Sequence, residues 1–226
     1  MALPIAQPMM SAADRLASVR GDIAAAAKLA GRDPAGVELV AVSKSRASDE
    51  IEALIAAGQQ EFGESRVQEA LTKWPPLLAA HPDVRLHCIG RLQSNKAAEA
   101  VKLFETIHSV DRLSLLDALV REAEKARCTP RVYVQVNIGE EEQKGGCAIG
   151  EVGKLVDAVR RSPLPLAGLM AIPPLDVEPS PYFALLAQIA RRHDVEGLSI
   201  GMSGDFKEAV MLGATAVRVG TALFED

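Results

Sequence analysis

The chain has 226 residues, 48% of them hydrophobic, and a formal net charge of -5. That length buries a substantial core, and a closed α/β barrel of this size need not be divided into domains. The acidic balance without a basic tail or stripe argues against nucleic-acid binding, and no apolar stretch is long enough to span a bilayer.

Residues 1–10 contain Pro4 and Pro8 and no basic n-region, so they read as a flexible lead rather than a signal peptide. The three cysteines, Cys88, Cys128 and Cys147, are far apart and odd in number. They indicate neither a disulfide framework nor a zinc site and suit a reducing, cytoplasmic setting.

Ser11 to Ala30 reads as an alanine-rich helix with Ser11 as N-cap. Strand Leu39–Lys44 follows, then helix Asp49–Ala57 with Ser48 as its cap and Gly58 as its stop. Strand Glu61–Gly63 leads to a helix from Arg66 to Leu78, for which Ser65 and Gln68 have capping-box spacing. Strand Arg85–Gly90 precedes helix Lys96–Leu103. Strand Thr106–Val110 leads to Asp111, the expected cap of helix Arg112–Ala126. Strand Arg131–Ile138 is followed by a polar loop, Gly139–Gly146, and helix Glu151–Arg161. Strand Leu166–Ile172, helix Tyr182–His193, strand Gly197–Met202 and helix Asp205–Leu212 complete the alternation up to the last strand, Ala216–Val219.

Eight strands separated by helices imply a parallel sheet with right-handed crossovers. In this length they suit a single (β/α)8 TIM barrel with an extra N-terminal helix, one domain over residues 1–226. A doubly wound open sheet is the alternative, but no Gly-x-Gly-x-x-Gly turn follows the first strand.

In a barrel, function sits at the C-terminal strand ends, and phosphate commonly binds at the loops after strands seven and eight. Those loops are Gly201-Met202-Ser203-Gly204-Asp205 and Gly220-Thr221-Ala222. Ser203 also has an ordinary role, as N-cap of the next helix. Lys44 closes a buried strand on the side opposite these loops, where desolvation would lower its pKa and free a nucleophilic amine. Arg218 shares a strand face with Gly220, and facing inward it would need an acceptor. A strand-end lysine, a phosphate nest and an inward arginine together suit a phosphorylated aldehyde with an aromatic nitrogen, the chemistry of pyridoxal 5'-phosphate (PLP). His87 and His108 read as hydrogen-bonded core histidines, and Lys144 as a solvated lysine in a polar loop.

Val40-Ala41-Val42-Ser43-Lys44, Phe62-Gly63-Glu64, Leu92-Gln93-Ser94-Asn95-Lys96, Gly201-Met202-Ser203 and Val217-Arg218-Val219-Gly220-Thr221 carry a resemblance over nearly the whole chain. In this combination they resemble the YggS-like PLP homeostasis protein family, which is similar to the barrel domain of alanine racemase. The resemblance implies that Lys44 holds PLP as an internal aldimine and that Ser203, Gly220 and Thr221 hold its phosphate. It implies too that Arg218 faces the pyridine nitrogen, with Met202 and Ser65 as further contacts. Ser65 stands where the family usually has Asn, and Gly139 where it usually has Ser.

Three functions follow as expectations. The first is an intracellular carrier that buffers PLP or delivers it to apo PLP-dependent enzymes, acts as a monomer and lacks turnover. The second is a racemase-like PLP enzyme, and the third a phosphosugar enzyme with Lys44 as nucleophile. An arginine at the pyridine nitrogen weakens the ring as an electron sink. The sequence also stops at the barrel, without the further domain that helps alanine racemase place its second base. Tyr133, His87 and Cys88 remain as candidates for such a base. Both arguments favour the carrier.

Overall fold

A computed structural model describes residues 10–225. Eight strands form the barrel: β1 (Glu38–Val42), β2 (Glu61–Glu64), β3 (Arg85–Cys88), β4 (Thr106–Val110), β5 (Arg131–Gln135), β6 (Leu166–Met170), β7 (Leu198–Ser199) and β8 (Ala216–Val219). Every neighbouring pair is parallel, and β8 closes onto β1 with Ala41 beside Val219. The expected TIM barrel is therefore observed, with its strands in simple chain order.

Helix α1 (Ala12–Leu29) precedes β1, and each strand is followed by a helix: α2 (Ser48–Ala56), α3 (Val67–Ala80), α4 (Ala97–Leu103), α5 (Leu113–Ala126), α6 (Val152–Arg161), α7 (Ser180–Arg192), α8 (Phe206–Met211) and α9 (Thr221–Phe224). α1 starts with a capping box in which Ser11 Oγ accepts the Asp14 N–H and Asp14 accepts from Ser11. It buries Leu16, Val19, Ile23, Ala26 and Ala27 and packs on α8 and α9. Arg32, just beyond it, donates to the carbonyls of Val210 and Ala214, which fastens the N-terminal arm to the last barrel unit.

Strand alternation sorts side chains into two buried sets. Leu39, Ala41, Phe62, Ile107 and Val217 join the apolar layer between the sheet and the helices. Val40, His87, His108, Tyr133, Ser199 and Arg218 are buried outside that layer. His108 of β4 hydrogen-bonds Ser199 of β7 at 2.8 Å, three strands away in the closed order, so this second set fills the barrel interior.

Several helix starts differ from expectation. Ser48 is the first residue of α2 rather than its cap, and Glu50 instead accepts the Ala47 N–H at 2.9 Å. The Ser65–Gln68 box does not form, because α3 begins one residue later, after Arg66. Asp111 pairs with the Arg112 guanidinium at 2.5 Å, which takes its carboxylate away from α5. Ser203 does not cap α8; Asp205 occupies that position. β7 is only two residues long. There Gly197 crosses Ala167 so closely that a Cβ would lie 1.8 Å from the Ala167 carbonyl oxygen. The expected flexible lead falls outside the described residues, apart from Met10.

Candidate functional site

β1 ends at Val42, so Lys44 lies two residues past the strand, in a turn, and is exposed. This corrects the expectation of a lysine inside a buried strand end. The turn bends through Ser45, whose φ is +59°, and the Arg46 N–H closes it onto the Ser43 carbonyl at 3.0 Å. Both flanks of Lys44 are clamped. Ser43 Oγ donates to Glu64 Oε1 at 2.7 Å, and Lys73 Nζ donates to the Ser43 carbonyl at 2.8 Å. The Ser45 N–H donates to Glu69 Oε1 at 2.7 Å, a bond that heads the causes holding the Glu69 carboxyl below its ordinary value. The backbone is fixed, while among the described residues the Lys44 amine has no partner.

Glu64 is fully buried. Its Oε1 takes Ser43, the Trp74 indole N–H at 2.9 Å and Lys73 at 2.7 Å, while Oε2 has no partner. It therefore serves as an anchor under the Lys44 turn.

The expected phosphate loops meet each other. Gly201 has φ +92°, and a Cβ there would lie 2.6 Å from the Ala209 Cβ, so only glycine makes this bend into α8. The Met202 N–H donates to Asp205 Oδ1 at 2.6 Å, and Ser203 Oγ accepts the Gly220 N–H at 3.1 Å. With that lone pair used, the Ser203 hydroxyl hydrogen is left to donate. A Cβ on Gly220 would meet nothing closer than Val42 Cβ at 3.4 Å. The protein itself leaves room there, so the need for glycine is set by whatever occupies the mouth.

These residues occupy one half of the rim. Lys44 follows β1, Ser65 follows β2, Met202 and Ser203 follow β7, and Gly220 and Thr221 follow β8. The strands run β7-β8-β1-β2 around the closed sheet, so the Lys44 turn sits beside the β8 loop rather than opposite it. Arg46 ties the two together, pairing with Glu225 and lying 5.2 Å over the Phe224 ring. Ser65 is half-buried at the edge of this half of the rim, its backbone packed against Gly90.

Arg218 points into the barrel beneath this half of the rim and is buried. Nη1 donates to the Ser199 carbonyl at 2.8 Å and to Ser199 Oγ, and Nη2 donates to the Ala171 carbonyl at 3.1 Å. Burial pushes the guanidinium down to about 10, which leaves it charged at neutral pH. Among the described residues no acceptor meets its Nε–H or its second Nη2–H, so two donors of the fork remain for a group in the mouth. Sequence reasoning required an acceptor for Arg218 but did not name Ser199. Its inward register on β7 was the available signal. The clamps Lys73, Glu69 and Arg46 were missed because each reaches the rim from a helix or loop with no local motif.

The candidate second bases are enclosed. Burial pushes the Cys88 thiol up to about 12 and raises the Tyr133 phenol. His87 has both ring nitrogens engaged, with Glu61 at 2.8 Å and His108 at 2.9 Å. The two histidines are the hydrogen-bonded core residues expected. Lys144 is not simply solvated: it donates to the Pro173 carbonyl at 2.9 Å and pairs with Glu141 at 2.6 Å, which joins the β5–α6 and β6–α7 loops.

The family described as "Alanine racemase, N-terminal domain" matches residues 15–226. The pyridoxal phosphate homeostasis protein of Pseudomonas aeruginosa is 40% identical over 222 residues, covering 96% of each chain. PipY of Synechococcus elongatus, whose structure was solved with PLP bound, is 36% identical with a TM-score of 0.81, covering 94% of this chain and 99% of that one. Alanine racemase of Corynebacterium glutamicum shares the fold at 19% identity and a TM-score of 0.62, where this chain spans 60% of its length. The match over the full barrel, together with the order of motifs around its rim, shows that the chain belongs to the pyridoxal phosphate homeostasis protein family.

Proposed function

We propose that this protein holds PLP through a Schiff base to Lys44 and buffers or delivers it inside the cell, with the whole chain acting as one cofactor-holding domain. The observation that carries this reading is that half of the rim. A free amine, two hydroxyls and an open glycine lie side by side, above a buried arginine with donors to spare. An anionic group, an aldehyde and an aromatic nitrogen acceptor fit that set. The PLP bound to PipY, a relative of 36% identity, supports the same chemistry for this chain.

Ser203 and Thr221 donate hydroxyl hydrogens to the phosphate, with the Gly220 N–H keeping Ser203 turned toward it. Arg218 donates to the ring nitrogen, Met202 borders the phosphate loop, and Ser65 lines the β2 side. Bound PLP supplies an aldehyde for condensation with amines and, when its ring nitrogen is protonated, an electron sink for carbanions. Arg218 remains charged and has no proton to yield, so the ring nitrogen stays an acceptor and the sink stays weak. Cys88, Tyr133 and His87 are too enclosed to serve as an opposing base. The protein is therefore a monomeric carrier whose partners are PLP and apo PLP-dependent enzymes.

The test is deuterium exchange at Cα of alanine and other amino acids with PLP-loaded protein, beside transfer of PLP to an apo-enzyme. Exchange no faster than with free PLP, together with transfer, is expected. Exchange well above free PLP that vanishes in Lys44→Ala would replace the carrier with an enzyme.

A further inference from the structure

The barrel interior contains a continuous polar chain from one end toward the other. Arg85 pairs with Glu61 at the N-terminal side. Glu61 Oε2 lies 2.8 Å from His87 Nε2, His87 Nδ1 lies 2.9 Å from His108 Nε2, and His108 Nδ1 lies 2.8 Å from Ser199 Oγ. Ser199 Oγ meets Arg218 Nη1. His87, His108 and Ser199 are fully buried, so every link runs without solvent.

Both ends of this chain have a fixed direction. A guanidinium only donates, so Ser199 Oγ accepts from Arg218. A carboxylate only accepts, so His87 Nε2 donates to Glu61. With the ends set, one arrangement satisfies every link once. Ser199 O–H donates to His108 Nδ1, His108 Nε2–H donates to His87 Nδ1, and His87 Nε2–H donates to Glu61. The opposite internal direction would need a doubly protonated His87. It would put two donors on Ser199 Oγ and leave the hydroxyl hydrogen without an acceptor among the described residues. Burial above all also holds His108 well below the ordinary histidine value. His108 stacks on Tyr133 at 4.5 Å between ring centroids, which fixes the plane of the middle link.

We infer that Glu61, His87, His108 and Ser199 form a one-directional hydrogen-bond relay that positions Arg218, and that both histidines are neutral Nε2–H tautomers. The relay links the buried guanidinium to the Glu61 carboxylate through aligned donors. It engages Nη1 within the barrel, which leaves Nε–H and the second Nη2–H without an acceptor among the described residues. The four are positioning residues: they act on the cofactor ring only through Arg218, and this part rests on the proposed PLP reading.

The relay itself is tested in cofactor-free protein by NMR of 15N-labelled histidine, with peaks assigned through single His→Gln variants. His87 and His108 are expected to show a bare Nδ1 and a protonated Nε2 at neutral pH. A protonated Nδ1 on either ring would overturn the relay. Ser199→Ala removes the donor to His108 Nδ1, so the His108 Nδ1 resonance should move, while Glu61 keeps His87 as its Nε2–H tautomer. An unchanged His108 would break the proposed Ser199 link. In PLP-loaded protein, Ser199→Ala should weaken PLP retention about 10-fold, the scale of one lost bond to a charged group. Unchanged retention beside a moved His108 resonance would overturn the positioning role alone. No PLP uptake by the wild type would overturn the cofactor reading, with the tautomers still judging the relay. If Ser199→Ala does not fold, Glu61→Gln applies the same two readouts from the other end, expecting a shifted His108 pattern.

Discussion

The chemistry of this barrel rests on single residues whose neighbours decide their role. The role proposed for Lys44 rests on its position rather than on burial. It is exposed, and Glu64, Glu69 and Lys73 clamp the backbone on either side of it. Alternation along β1 carried the sequence argument past Val42, because a serine at φ +59° leaves no glycine or asparagine signature for the turn. Arg218 was legible as an inward cation, whereas its relay was not, since Ser199, His108 and Glu61 come from three other strands. Replacing Ser203 and Thr221 together by Ala should weaken PLP retention at least ~10-fold and spare the fold, because each bond to a charged group contributes roughly 1.5–3 kcal/mol. Equilibrium dialysis beside a thermal melt checks both halves. The Cys88 and Cys147 thiols, each pushed up to about 12 by burial first of all, should resist iodoacetamide in the folded protein at mildly alkaline pH. Rapid labelling of either, followed by peptide mapping, would contradict that. Burial raises the Glu61 carboxyl, yet bonds from His87 and Arg85 outweigh it and bring the net value below 4.5. A carboxyl with a depressed folded pKa adds stability that is present above its unfolded value and lost as pH falls through the folded one. Glu61→Gln should therefore flatten the loss of urea stability on acidification below about pH 4.3. An identical slope in both proteins would show that Glu61 contributes none of it.

At the scale of elements, the alternation of strands and helices was readable throughout, because period-two apolar runs and alanine-rich helical segments rarely overlap in this chain. Helix caps were read less well. A side chain with capping chemistry is no guide when a stronger partner is near, as Arg112 is for Asp111. β7 was read too long because Gly197, Gly201 and the carbonyl of Ala167 break the ladder at either end of it. α9 was not expected, and its four residues are too short for a periodic signal. Gly201 is the hinge between β7 and the Ser203 loop. Gly201→Ala should lower stability by more than the ~1 kcal/mol typical of a helical Gly/Ala difference, since a φ of +92° and a 2.6 Å clash with Ala209 act together. Urea midpoints of the two proteins decide it, and equal midpoints would mean that the loop can shift.

At the scale of the whole molecule, closure of the sheet brings the first and last units together. That single fact makes Lys44 and Thr221 neighbours although they are separated by most of the chain. α1, Arg32 and Arg46 reinforce the seam from outside. The proposed PLP site thus depends on the closed barrel as a unit. Borohydride reduction of PLP-loaded protein, followed by peptide mass mapping, tests this account most directly. A pyridoxyl adduct on the peptide carrying Lys44, absent in Lys44→Ala, is the predicted result. An adduct mainly on Lys73, Lys96 or Lys144, or none on a protein that retains PLP, would contradict it.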